Sequence, residues 1–278
     1  MPINKRRAIL NATLCGAMIG LLVFAVSHKT QIRFRFLAWK VQREQPLVAV
    51  LPRPLNDVSV SQDTGVTLSH FGYQFDAPWD DVEKIDLPGG LFRVAFLSGR
   101  VIAFMDPAHE VNAIKVMKDD AAQRGEHLED TFSPEAIASN YAWLRSRLTV
   151  TPSQISFWTP PKQVVQYYVF LNLKGVMMQQ AETGLFSIQT QRLRGFQMGD
   201  PLRAAIHIDV FDDQDRHFEF WIGAAKEKHT TITQAEVNRV LQSLRPVAEN
   251  KSLLEGIPNI GFGAVQHRTM LPLHHEEE

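Results

Sequence analysis

Residues 8–27, AILNATLCGAMIGLLVFAVS, carry no charge. About 20 residues of this kind extend about 30 Å as a helix, the thickness of a bilayer core, so the run predicts a transmembrane helix. Lys5, Arg6 and Arg7 make residues 1–7 a basic tail. That tail would also suit a cleaved signal peptide, but the apolar run is too long for one and no small-residue cleavage site follows, so an uncleaved anchor is expected. Lys29, Arg33, Arg35, Lys40 and Arg43 lie beyond the run. The positive charges therefore compete across the span. A first helix tends to keep a basic tail inside, and long domains translocate largely regardless of charge, which points to an extracytoplasmic domain with a cytoplasmic one as the alternative.

Arg33, Phe34, Arg35, Phe36, Trp39 and Lys40 interleave rings and cations directly after the run. They form the expected membrane-interface set, with rings at the headgroup level and cations on phosphates. The competing reading is a continued helix or a first strand with solvated arginines. Pro46, Pro52 and Pro54 make residues 45–63 a poor place for regular structure. Residues 28–62 thus read as a juxtamembrane segment and linker, residues 63–247 as the globular domain, and residues 248–278 as a loop-like tail.

Within the domain the apolar pattern changes period several times. Phe71, Tyr73 and Phe75 alternate with polar residues and glycine up to Pro78, predicting a strand. Residues 92–97 and 101–105 predict a hairpin around Ser98 and Gly99, with Phe92, Val94 and Phe96 opposite Met105, Ala103 and Val101. Three helix signals follow: Asp106-Pro107 with Gly125 as a stop, Ser133-Pro134 before Ile137, Tyr141, Leu144 and Leu148, and Thr159-Pro160 before an apolar stretch ending at Gly184. The third is apolar around much of its circumference, which predicts a central helix. Strands are expected over 186–197, 203–212 and 216–223. Thr233 and Glu236 then form a capping box ahead of Val237, Val240, Leu241 and Leu244. Strands, then helices, then a meander, then a helix is the order of an α+β fold, an antiparallel sheet packed against several helices.

The stretch Phe71-Gly72-Tyr73-Gln74-Phe75-Asp76-Ala77-Pro78-Trp79 and the closing strand pair followed by residues 233–244 resemble Mog1/PsbP-type α/β sandwich domains, also seen in uncharacterised bacterial membrane-anchored envelope proteins. The resemblance covers about two-thirds of the chain. It implies a domain that binds a protein partner rather than catalyses.

Composition narrows the function further. Lys and Arg total 29 against 30 Asp and Glu, a net charge of −1, so the electrostatic excess of a nucleic-acid binder is missing. The single cysteine, Cys15, excludes an internal disulfide and lies in the apolar run. The motifs of serine hydrolases, zincins, P-loop enzymes and dinucleotide binders are absent; His109-Glu110 starts like a zincin, but Ala113 stands where its second histidine belongs. No cofactor is expected, and the partners expected are membrane lipid and an unidentified protein. His274 and His275 beside three glutamates read as a solvated tail. Trp79, Trp143, Trp158 and Trp221 adjoin apolar residues or proline and read as core.

One pattern carries candidate chemistry. If Asp213, Gln214 and Asp215 form a three-residue loop, Ile206, Ile208 and Val210 face Ile222, Phe220 and Phe218 on one side of a hairpin. The other side sets His207 opposite Trp221, Asp209 opposite Glu219 and Phe211 opposite His217. Two opposed carboxylates repel unless a cation or a proton lies between them. A metal on Asp209, Glu219 and His217, a shared proton, and Arg192 or Arg194 from the neighbouring strand are the three ways to neutralise them. The metal would make the domain a metal-dependent or acid/base hydrolase, the alternative to a non-catalytic binding protein. An arginine, with one register setting Arg192 beside Asp209, would make the pair structural.

Overall fold

The computed structural model describes residues 24, 26–55, 59–63, 65–107, 113–180, 184–200, 205–224 and 230–247. Met1–Pro246 form one unit and Val247–Glu278 another, of which Val247 alone is described. The tail beyond it, with His274 and His275, lies outside the described residues, as does the expected anchor before Phe24. Among the described residues no helix is long and apolar enough to cross a membrane.

The main sheet has eight strands in the order β1-β7-β8-β9-β10-β6-β5-β4. They are β1 (Arg53–Pro54), β4 (Val82–Asp86), β5 (Leu91–Phe96), β6 (Arg100–Met105), β7 (Leu185–Gln189), β8 (Arg194–Met198), β9 (Ala205–Phe211) and β10 (His217–Ala224). All neighbours are antiparallel except β1 and β7. A second sheet joins β2 (Thr67–His70), β3 (Tyr73–Asp76) and β11 (Arg245–Pro246). The helices are α1 (Lys29–Glu44), α2 (Ala113–Gln123), α3 (Leu128–Thr131), α4 (Asn140–Thr149), α5 (Pro161–Gln180) and α6 (Gln234–Ser243). The fold is α+β.

Alternation in the strands sorts side chains between the two faces of the main sheet. Its inner face packs Phe96, Ile102, Phe104, Ile208, Val210 and Phe220 against Phe75 of the small sheet and Val237 and Val240 of α6. Phe75 meets Phe104 and Phe220 edge-on at 5.7 and 5.5 Å, and full burial of each ring is worth about 1.5–3 kcal/mol. The outer face is covered only in part: Leu144 and Leu148 of α4 and Met178 of α5 pack on Leu185, Phe196, Met198 and Phe211. A third cluster lies among the helices and includes Ala38, Val48, Trp143, Val164, Phe170 and Leu171. Because α5 contributes to both helical clusters, it is the central helix that its all-round apolar pattern predicts.

Several expectations are corrected. Residues 28–62 are not a free linker: α1 packs on α5 through Ala38, and Val48 is fully buried. The Cβ of any residue replacing Gly175 on α5 would overlap the Gln45 side chain, which shows how close the end of α1 approaches. Phe71 does not belong to a strand. It forms with Gly72 the two-residue turn between β2 and β3, at φ 51° and 76°, the mirror-image turn that matches strand twist. Gly99, at φ 86°, makes Leu97, Ser98 and Gly99 a three-residue loop, so Phe92 pairs with Phe104 and Val94 with Ile102, one position from the expected register. The strand expected over 186–197 is a hairpin, since Thr190 accepts through Oγ1 from Leu193 N at 2.9 Å and closes a turn over 190–193. At Ser133 only a turn forms; the cap of α4 lies six residues later at Ser139, whose Oγ accepts from Ala142 N at 3.0 Å.

The capping box holds as drawn. Thr233 Oγ1 accepts from Glu236 N and the Glu236 carboxylate accepts from Thr233 N. Of the candidate helix from Asp106, the stretch 113–123 is described and Gly125, at φ 70°, follows it; residues 108–112, with His109, lie outside the described residues.

Candidate functional site

The β9–β10 hairpin has the register that its apolar face requires: Asp209 pairs with Glu219, His207 with Trp221 and Phe211 with His217. Asp215, at φ 61°, provides the left-handed residue of its connecting loop. The chemistry-bearing side chains emerge on the outer face, the one on which α4 and α5 pack.

Four polar side chains converge there. His217 Nε2 lies 2.8 Å from Asp209 Oδ1. His207 Nε2 lies 2.8 Å from Glu219 Oε1 and 3.6 Å from Asp209 Oδ1, without the angle of a hydrogen bond to either. Glu219 Oε1 accepts from Trp221 Nε1 at 2.7 Å. The two imidazoles are held flat against cross-strand rings, His207 on Trp221 at 4.0 Å and His217 on Phe211 at 4.5 Å. One donor atom each from His207, Asp209 and Glu219 lies within 4.8 Å of the others. The histidine standing between the carboxylates is therefore His207, where His217 was expected; His217 leans on Asp209 from the side.

Charge follows the same geometry. Burial works against a charged His207, but contact with Glu219 and the charges of Asp209 and Glu219 outweigh it and raise its pKa above the usual histidine range. Burial would likewise raise Asp209, which is only 4 % exposed, yet His217 contact and the charges of His207, His217 and Arg147 hold its pKa below the usual carboxylate value. Arg147 reaches the region from α4, where its guanidinium donates to Met177 Sδ at 2.5 Å and attracts Asp209 through space.

Neither arginine expected beside Asp209 is there. The turn over 190–193 removes Arg192 from the sheet, where it is exposed, and β8 sets Phe196 opposite Asp209. Arg194 stays on the outer face opposite Phe211 and covers the Tyr141 ring at 4.3 Å. His207 was readable in the hairpin pattern, two residues from Asp209 and diagonal to Glu219. Arg147 was not, because only the docking of α4 brings it near.

A second feature adjoins the end of the apolar run. On α1, Gln31, Phe34, Ala38 and Val41 turn inward, and Phe34 packs on Tyr168 at 5.1 Å. Ile32, Phe36, Trp39 and Arg43 turn outward. Phe24 meets Phe157 at 5.6 Å, Arg35 covers the same Phe157 ring at 4.8 Å, and Arg43 covers Trp39 at 5.6 Å. Lys40 pairs with Glu44 at 3.8 Å. Trp158, expected in the core, is 84 % exposed beside this stripe, whereas Trp79 and Trp143 are buried and Trp221 is half-buried. Of the expected interface residues, Phe34 is therefore half-buried against the helical cluster, and the stripe gains Phe157 and Trp158.

At the β7–β8 turn an open groove of about 770 Å³ is floored by Leu55, Ile188, Leu193 and Leu241 and rimmed by Gln191, Arg192 and Gln242. The sequence carries no signal for it, since its walls come from three separate segments. No family model, curated protein or solved structure matches this chain.

Proposed function

We propose that this is a non-catalytic, single-pass membrane-anchored protein whose α+β body lies against the bilayer and binds a protein partner there. The observation that carries this reading is the exposed ring-and-cation stripe of α1 with Trp158 beside it. Large apolar surface in water is costly, and tryptophan with neighbouring arginine is the composition of a headgroup boundary. The stripe starts at Phe24 and Val26, within the last four residues of the uncharged run, so an anchor over residues 8–27 would bring it to the membrane surface. The basic N-terminal tail favours an extracytoplasmic body, with a cytoplasmic one as the alternative. The groove by Arg192 offers an apolar floor with an amide rim to a segment of the partner. Binding of this kind agrees with the adaptor role implied by the resemblance to Mog1/PsbP-type domains.

Full-length protein in vesicles carrying lipids brominated near the headgroup end of the acyl chains tests the contact. Tryptophan fluorescence is expected to be quenched, and Trp39→Phe with Trp158→Phe is expected to abolish most of that quenching, since Trp79 and Trp143 are core. Quenching that is absent, or unchanged in the double variant, refutes the reading.

A further inference from the structure

We propose that His207, Asp209 and Glu219 form a site for one divalent transition-metal ion, with zinc as the probe, on the outer face of the sheet at β9 and β10. This goes beyond the partner-binding reading and does not depend on it. One imidazole nitrogen and two carboxylate oxygens suit zinc, manganese or ferrous iron, and the two carboxylates match a dication's charge. The spacing is close to what such an ion needs. Bonds of about 2.0–2.1 Å in a tetrahedral shell set ligand atoms about 3.3 Å apart. The His207 nitrogen stands 2.8 Å from Glu219 Oε1 and 3.6 Å from Asp209 Oδ1, on either side of that figure, and all three donors fall within 4.8 Å of one another.

A second observation points the same way. Asp209 Oδ2 is buried without a hydrogen-bond partner, and the Asp209 residue is more than nine-tenths buried. Buried polar atoms in folded proteins are nearly always satisfied, so an orphaned carboxylate oxygen in this cluster calls for a bound cation. Each of the three side chains also has an outer support, as metal ligands usually do. Trp221 holds His207 by stacking and Glu219 through its indole N–H, while His217 steadies the Asp209 carboxylate at Oδ1. The His207 and Glu219 side chains keep 18 % and 19 % of their surface, enough to admit an ion and leave a position for water.

The test is zinc titration of the full-length, chelator-treated protein in detergent, by calorimetry and by thermal melting. A His274→Ala/His275→Ala chain serves as the reference, so that the tail cannot supply the signal. One equivalent of zinc is expected to bind the reference and raise its Tm, with at least tenfold weaker binding in His207→Gln and in Glu219→Gln. Cobalt in place of zinc is expected to quench Trp221 fluorescence, a readout on the reference that needs no altered ligand and is lost in Trp221→Phe. If the reference chain binds no zinc, or if both Gln variants bind like the reference, the site is refuted. Variants that fail to fold leave the decision to the reference chain's stoichiometry and cobalt quenching, and absence of either refutes it too.

Discussion

Lys174 shows how much a single buried charge constrains the molecule. It is fully buried on α5, and its ammonium donates to Val50 O at 2.6 Å and Val150 O at 2.9 Å, tying the segment after α1 and the segment after α4 to one helix. Burial lowers its pKa from 10.5 to about 8. Between those values the unfolded chain binds more protons than the folded one, so this group makes stability rise with pH from about 8 towards 10.5. Below about 8 both states carry the proton and the contribution is flat. Urea midpoints of the wild type and Lys174→Met, compared at pH 7.5 and pH 10 (both about), check this. The variant is expected to lose the rise while other groups titrate alike in both proteins; parallel pH profiles would show that Lys174 does not carry it. Nothing near Lys174 in the sequence announces this role, because both carbonyls come from distant segments. Trp158 is the converse case. Its apolar neighbours read as core, but Ser156 and Thr159 hydrogen-bond to each other at 2.9 Å and to the local backbone, closing a tight turn whose tip leaves the indole exposed.

At the scale of elements, hairpin registers were legible where an apolar face admitted one solution and illegible where turn geometry decided. Six apolar residues fix β9 against β10, and the candidate cluster follows from that register alone. In β5–β6 apolar residues occur on both faces, so periodicity could not choose, and Gly99 in its left-handed conformation decided by lengthening the loop. The residues 186–197 alternate well enough for one strand; the Thr190 hydroxyl breaks them into two and carries Arg192 out of the sheet. The start of α4 depends on a long-range cap. Asp215, in the β9–β10 loop, accepts from Asn140 N at 2.6 Å and from Tyr141 N at 3.1 Å, a carboxylate at the positive end of the helix. Asp215→Ala is expected to cost about 2 kcal/mol in urea denaturation, through the lost cap and the left-handed backbone. Asp215→Asn tolerates that backbone and keeps an acceptor oxygen, so its cost should be about half as large. Equal costs would mean that the charged cap, and not the loop conformation that asparagine preserves, is what the aspartate secures.

For the whole molecule, the decisive difference from the sequence pattern is where the body begins. Prolines at 46, 52 and 54 suggested a hinge after the anchor, but Pro46 opens a 3-10 turn whose Val48 is buried, and Arg53 and Pro54 pair with Phe186 and Ser187 at the sheet edge. Proline fits at both places, since neither the first turn of a helix nor a sheet edge needs every N–H. On the proposed reading, an anchor would run into α1 and the packed body without a long linker, which would hold one side of the domain towards the membrane. Truncation separates this arrangement from a hinged one. A chain starting at Ser27 retains α1, Val48 and the Lys174 partner Val50, and is expected to keep cooperative melting and near-ultraviolet circular dichroism. A chain starting at Val60 strips the apolar cover from α5, removes the Lys174 contact to Val50 and deletes β1, leaving Ala38 and Val48 positions unfilled. It is expected to bind a hydrophobic dye and to melt over a broad range or aggregate. If the shorter chain instead melts as sharply as the longer one, α1 is dispensable packing and the body is free to swing on its anchor.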